Sequence, residues 1–107
     1  MLRYDEYDMI AKALNASDPL DVLRKLRKKR KVSTRDIGNF IADNADGVWF
    51  HPWLPEGFAY IDVGSGRALA ASWDEQGFWD VFETTVAEAE SEIALLQEEY
   101  DDSEEEA

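Results

Sequence analysis

Apolar residues in the first 44 positions recur three and four residues apart, which is the spacing of an amphipathic helix. This spacing predicts three helices, over residues 4–15, 19–30 and 34–44. The second and third helices begin at recognisable caps, because Asp18 precedes Pro19 and Ser33 stands three residues before Asp36.

The spacing changes after residue 47 and becomes typical of short strands joined by turns. Residues 48–50 form a short β-prone run. We expect residues 51–57 to form a loop, because two prolines in this segment cannot donate hydrogen bonds to a strand ladder. A β-hairpin is predicted over about residues 58–73, with its turn at residues 64–66.

One long helix is predicted over about residues 75–100. Its apolar residues alternate in steps of three and four, which is the spacing of a heptad seam. This seam either packs on the rest of the chain, which we favour, or pairs with a second copy in a homodimer. The seam consists of Trp79, Phe82, Val86, Ala89, Ile93, Leu96 and Tyr100.

The predicted fold class is therefore α+β, with three N-terminal helices, a small antiparallel sheet and a long C-terminal helix. We expect a single globular domain over residues 1–100, since 107 residues suffice for one domain. Residues 101–107 contain no apolar side chain except the last alanine, so we expect them to form a disordered acidic tail.

The composition argues against several classes of protein. There is no cysteine and a single histidine, His51. No glycine-rich motif that would hold a phosphate is present. We therefore expect no catalytic residues, no metal, no cofactor and no enzymatic activity. The N-terminus lacks the basic and apolar segments of a signal peptide, and no apolar run has the roughly 18 residues of a membrane span. We expect a cytoplasmic protein without a membrane partner.

Charge is distributed very unevenly along the chain, whose net charge is −13. Residues 1–35 contain ten Lys and Arg against five Asp and Glu, whereas residues 68–107 contain fourteen acids and no base. Adaptation to high salt is one explanation, but it spreads acid evenly, and eight of the eleven bases here lie between residues 24 and 35.

The acids of the predicted long helix are candidates for contacting a partner. Carboxylates four residues apart on a helix are separated by about 6 Å along its axis. Their repulsion costs a few tenths of a kcal/mol per pair, so folding alone does not favour this arrangement. We expect Asp80, Glu83 and Glu90 on one flank of the seam and Glu88, Glu92 and Glu99 near the other. The candidate partner-binding residues are Asp80, Glu83, Glu88, Glu90, Glu92, Glu98 and Glu99, with Trp49 or Trp53 as an aromatic anchor.

Two segments in the last third of the chain, residues 88–93 and 98–106, are rich in acids. In this respect the chain resembles the small anti-defence proteins of phages and mobile elements, the anti-CRISPR and antirestriction families, several of which mimic DNA. The resemblance implies a non-enzymatic inhibitor that binds the basic, nucleic-acid-binding surface of a host protein or ribonucleoprotein complex. It implies a place in the host cytoplasm and no direct binding of DNA.

The basic segment over residues 24–35 favours a different interpretation. It is similar to the opening of a phage-repressor-type helix-turn-helix, in which basic side chains contact phosphates. No recognition helix follows Asn44. The alternatives are a small nucleic-acid-binding regulator, a dimeric assembly protein, or bases that only pair with the acidic half. The candidate nucleic-acid-binding residues are Arg24, Lys25, Arg27, Lys28, Arg30, Lys31 and Arg35.

Overall fold

The computed structural model describes the backbone of residues 2–77 and 79–106, and the side chains of residues 6–77 and 79–100. It contains four helices and four strands in these parts of the chain. The predicted fold class and the order of the elements are confirmed. The helices are α1 (Leu2–Leu14), α2 (Pro19–Lys28), α3 (Thr34–Asn44) and α4 (Val86–Glu106), and the strands are β1 (Gly47–Phe50), β2 (Gly57–Gly64), β3 (Arg67–Trp73) and β4 (Trp79–Thr85).

The four strands form one antiparallel sheet in the order β1-β2-β3-β4, so β1 and β4 are its edges. Because side chains alternate between the two faces of a strand, each central strand contributes side chains to the packing on both faces of the sheet. Ala59 and Ile61 of β2 face one layer, whereas Phe58 and Tyr60 face the other.

Helices α1, α2 and α3 cover the first face of the sheet. Their apolar stripes meet the sheet in one buried cluster, in which Ile10, Ile37 and Ile41 are at most 1% exposed. The predicted caps form as expected. Asp18 accepts the backbone N–H of Asp21, and Ser33 and Asp36 complete a reciprocal capping box.

Helix α4 covers the second face of the sheet. Its buried residue Ala89, with Val86, Ile93 and Leu96 around it, packs on Phe58 and on the small residues of β3. This is the first of the two alternatives for the seam, packing within the chain. The sheet therefore separates a layer of three helices from a layer of one.

The structure corrects the beginning of the long helix. Residues 79–85 form the edge strand β4, and the helix begins at Val86. A turn precedes this strand: Asp74 accepts the backbone N–H of Gln76, and Gly77 has a φ of +87°. Trp79 and Phe82 therefore lie on opposite faces of the sheet, and their spacing of three does not place them on one helix stripe.

Thr85, the residue before Val86, accounts for the true start of α4. Thr85 accepts the backbone N–H of Glu88 with its hydroxyl oxygen at 3.1 Å, which is the bond made by a helix N-cap. Thr85 and Glu88 also have the spacing of a capping box. That signal is visible in the sequence. The structure gives α4 an end at Glu106, beyond the predicted end near residue 100. The side chains of residues 101–107 lie outside the described part of the chain, and the predicted disorder of this tail stays a prediction.

Candidate protein-binding surface

An acidic groove runs between helix α4 and the edge strand β4. It has a volume of about 390 Å³, and its floor is formed by Phe58, Phe82 and Ala89. Glu88 and Glu92 line it from the helix, and Thr84 lines it from the strand. The Thr84 hydroxyl donates a 2.9 Å hydrogen bond to the Glu88 carboxylate, which fixes that side chain over the groove.

Three further acids extend the negative charge of this groove. Asp80 is exposed and pairs in register with Ser72, which itself lines the groove. A second depression, of about 510 Å³, is lined by Glu92, Leu95, Leu96, Glu98 and Glu99. We define the acidic surface as Asp80, Glu88, Glu92, Glu98 and Glu99.

The acidic surface follows from the helical period of α4. Val86, Ala89, Ile93 and Leu96 face the sheet. Glu88, Glu92 and Glu99 follow at intervals of four and seven residues, so they share one flank of the helix. Leu95 lies between these acids and is 60% exposed, which gives the surface an apolar centre.

Glu83 lies apart from the acidic surface and is neutralised within the molecule. Its carboxylate accepts hydrogen bonds from Nε and Nη2 of Arg24 at 2.6 and 2.5 Å, and one from Nη2 of Arg67 at 3.1 Å. The hydrogen bonds from Arg24 lower the pKa of Glu83, and burial opposes them only partly. The predicted grouping of Glu83 and Asp80 with Glu90 on one helix flank is wrong, because the first two belong to β4.

Glu90 lies on the other flank of α4, towards β2. The Tyr60 hydroxyl donates to its carboxylate at 3.5 Å. Burial of Tyr60 is the main cause that raises its phenolic pKa, and the negative charges of Glu90 and Asp46 raise it further. Glu90 therefore belongs to a partly buried contact that holds α4 on the sheet.

No lysine or arginine in the described part of the chain forms an ion pair with Glu88, Glu92 or Glu98. The ion pairs among the described residues lie in α1, in α2 and at Glu83. The sheet separates the acidic surface from most of the bases, since α2 and α4 pack on opposite faces. Glu88, Glu92 and Glu98 thus keep their charge.

The aromatic loop after β1 divides into a buried part and an exposed part. Trp49 is only 8% exposed and packs on Tyr100 of α4, with ring centroids 5.3 Å apart. Trp53 is 64% exposed. His51 has a structural role, because its Nδ1 accepts the backbone N–H groups of Trp53 and Leu54, each at 3.0 Å. Of the two predicted anchors, Trp53 is accessible, whereas Trp49 belongs to the core.

The bases of residues 24–35, which we call the basic turn, lie around a further depression, larger than the two on the acidic side. It has a volume of about 790 Å³ and lies where α2 ends and α3 begins. All eight bases of the basic turn are exposed. The bases that line the depression are Arg24, Arg27, Lys28, Arg30 and Lys31.

Among the described residues, no group of three or more His, Asp or Glu side chains has the arrangement of a metal site. None of the described helices is long and apolar enough to cross a membrane. Comparison with family models, with curated proteins and with solved structures found no match.

Proposed function

We propose that the chain is a non-enzymatic inhibitor that acts in the host cytoplasm by occupying a basic, nucleic-acid-binding surface of a defence complex. One observation carries the proposal. Glu88, Glu92 and Glu98 lie on the exposed side of one helix, and no lysine or arginine among the described residues pairs with them. A basic surface that normally holds phosphates would find comparable negative charge there.

The geometry of the acidic surface supports this proposal in a second way. Glu88 and Glu92 are one helical turn apart, so their carboxylates repeat along the axis at about 6 Å. The flank is held rigid, because α4 is fixed on the sheet by its buried seam and by the capping bond from Thr85. A rigid charged surface loses less conformational entropy on binding than a flexible one.

Apolar side chains within the same surface supply a contact that DNA itself lacks. Phe82 is 38% exposed in the floor of the groove, and Leu95 is 60% exposed between the acids. Trp53, whose ring centroid lies 6.5 Å from that of Tyr100, adds an exposed aromatic anchor near the C-terminal part of α4. Aromatic anchors carry a large share of the affinity at protein interfaces.

The test measures displacement of DNA from purified restriction and CRISPR effector complexes. Labelled target DNA is bound to each effector, and the protein is added at increasing concentration. The proposal expects release of DNA from at least one effector, with an effect that weakens as salt screens the charges over about 8–10 Å.

Charge reversal on α4 identifies the surface responsible. The triple variant Glu88→Lys, Glu92→Lys and Glu99→Lys should lose displacement while its circular dichroism spectrum stays that of the wild type. The single variants Glu92→Lys and Glu75→Lys form a matched pair, because both reverse one exposed acid but Glu75 lies in the β3–β4 turn. Only Glu92→Lys should weaken displacement. Unchanged displacement by the triple variant would contradict the proposal.

A further inference from the structure

Most bases of the basic turn are not paired with a described acid, although acids outnumber bases in the chain. Within the described part of the chain, Arg24 pairs with Glu83 and Lys25 with Asp21. The other six bases of the turn form no ion pair with a described residue, although the chain contains 24 acids. The six are Arg27, Lys28, Lys29, Arg30, Lys31 and Arg35.

Several bases of the turn converge on its concave side. Arg24 and Lys28 are four residues apart and project from one side of α2, and Lys31 follows the end of that helix. Together with Arg27 and Arg30 they line the depression of about 790 Å³, which also contains the hydroxyl-bearing residues Ser33 and Thr34 and the two acids Glu6 and Asp36, so bases outnumber acids in its lining by five to two. This arrangement suits an extended anion that can touch several cations at once.

The backbone of Arg30 shows that this charge is kept at a cost. Arg30 has a φ of +59°, in the left-handed region, and ends α2 where glycine is the usual residue. The N–H of Lys31 then bonds back to the carbonyl of Leu26 at 2.9 Å, which completes the helix-ending motif. A glycine would adopt this conformation without strain, but it would remove one cation from the turn.

We infer that the basic turn binds the phosphate backbone of nucleic acid, without reading its base sequence. The large apolar side chains exposed elsewhere, such as Phe50, Trp53 and Leu95, lie outside residues 24–35. A membrane surface is therefore the less favoured partner, because interfacial binding needs apolar side chains beside the basic ones. No recognition helix follows α3, since β1 begins at Gly47, so direct reading of bases is not expected.

This inference does not depend on the proposed function, because the basic turn and the acidic surface belong to different layers of the fold. Together the two surfaces would allow the chain to contact both components of a nucleoprotein. Nucleic acid would meet the basic turn while the acidic surface meets protein. The inference departs from the expectation of a pure mimic, which would not bind DNA.

The experiment measures binding of a labelled single-stranded RNA and of a labelled DNA duplex, each of about 20 nucleotides per strand, by fluorescence polarisation. Wild-type protein should bind at about 50 mM salt and lose at least roughly tenfold in affinity at about 200 mM, since a few phosphate contacts are expected. The comparison of RNA with duplex identifies the form of nucleic acid that the turn prefers. Absence of binding to both at low salt would overturn the inference.

Two matched pairs of variants locate the contact. Lys31→Gln should weaken binding by roughly threefold or more and reduce the salt dependence, as expected for one lost phosphate contact. Lys12→Gln removes the same charge from α1, where Lys12 pairs with Asp8, and should have little effect. Arg30→Gly should weaken binding, whereas Ser65→Gly, which also relieves a positive φ, should not.

Other outcomes would also decide against the inference. Equal loss of binding in Lys12→Gln and Lys31→Gln would show that only net charge matters. Tighter binding to vesicles containing phosphatidylserine than to either nucleic acid would identify a membrane surface instead. The triple variant of α4 should retain or strengthen nucleic-acid binding, so failure of one proposal is distinguishable from failure of the other.

Discussion

The guanidinium of Arg24 donates two hydrogen bonds to the carboxylate of Glu83, a residue 59 positions further along the chain. This contact joins helix α2 to the edge strand β4. It is the point at which the basic turn and the acidic half of the chain meet. Because Arg67 also donates to Glu83, one acid is held between two bases.

Stability at acid pH should depend on Glu83. Its pKa is lowered, chiefly by the hydrogen bonds from Arg24, so its contribution is fully present above the ordinary glutamate pKa of about 4.3. That contribution is lost as the pH falls through the lower pKa of the folded state. Thermal unfolding of wild type and Glu83→Gln should therefore differ most at pH 7 and converge at acid pH.

Comparing Glu83→Gln with the wild type separates the effect of this contact from the effect of the other charged side chains. Acidification also relieves repulsion among the other acids of a chain whose net charge is −13, which by itself stabilises the folded state. Glu75→Gln, at an exposed acid, provides the control. A difference between wild type and Glu83→Gln that does not change with pH would contradict the prediction.

Stability at alkaline pH should depend on Tyr60, which is 7% exposed. Its pKa is raised, mainly by burial and also by Glu90, so the protonated phenol is the form that the fold favours. The contribution is present below the ordinary tyrosine pKa of about 10 and is lost as the pH rises through the higher folded-state value. Tyr60→Phe should lose less stability than wild type between about pH 9 and pH 11, measured by urea unfolding.

Gly38→Ala should destabilise the fold by about 1–3 kcal/mol, although alanine is the better helix former by about 1 kcal/mol. A Cβ atom at this buried position would lie only 2.8 Å from Cδ2 of Trp79. Urea unfolding measures the loss. Trp79→Leu should relieve the overlap, so the double variant should be more stable than the sum of the single losses implies. If the losses in unfolding free energy of the two single variants simply added, the indole ring of Trp79 would not be what opposes the new Cβ atom.

His51→Phe should destabilise the loop after β1 by roughly 1 kcal/mol. The substitution keeps an aromatic ring beside Tyr100, whose centroid lies 4.5 Å away, but removes the acceptor for two backbone N–H groups. Hydrogen exchange at Trp53 and Leu54 should accelerate, while exchange in α1, on the other side of the sheet, stays unchanged. If both amides exchanged as slowly in the variant as in the wild type, Nδ1 of His51 would not have this structural role.

Arg30→Gly and Ser65→Gly should each stabilise the folded state by about 1 kcal/mol, because both residues adopt a positive φ. Thermal unfolding measures the gain. Arg30→Ala is the matched control, since alanine removes the charge and keeps the strain. If Arg30→Ala stabilised as much as Arg30→Gly, relief of repulsion among the bases would be the cause.

Local patterns predicted the three N-terminal helices and the central hairpin correctly. The caps at Asp18 and Ser33 were readable, because a cap is formed by residues only three positions apart. The strand β4 was missed, because the spacing of Trp79, Phe82 and Val86 imitates a helical stripe. The capping-box spacing of Thr85 and Glu88 and the turn residues before Trp79 are the signals that would have separated strand from helix.

The candidate site was predicted in part. Glu88, Glu92 and Glu99 do share a flank of α4, as their intervals of four and seven require. Glu90 lies on the opposite flank, as its spacing predicted, and contacts Tyr60, whereas Glu83 belongs to β4 and pairs with Arg24. The depression at the basic turn was not predicted. It forms only when the end of α2 meets the beginning of α3.

The sequence by itself determined the class of fold, the acidity of one helix flank and the concentration of bases in one turn. Those properties follow from intervals of a few residues and from composition. Only the tertiary structure decided which charges remain available. Ion pairing depends on distances between elements far apart in the chain, and the sheet places α2 and α4 on opposite faces, so most of the two sets of charge never meet.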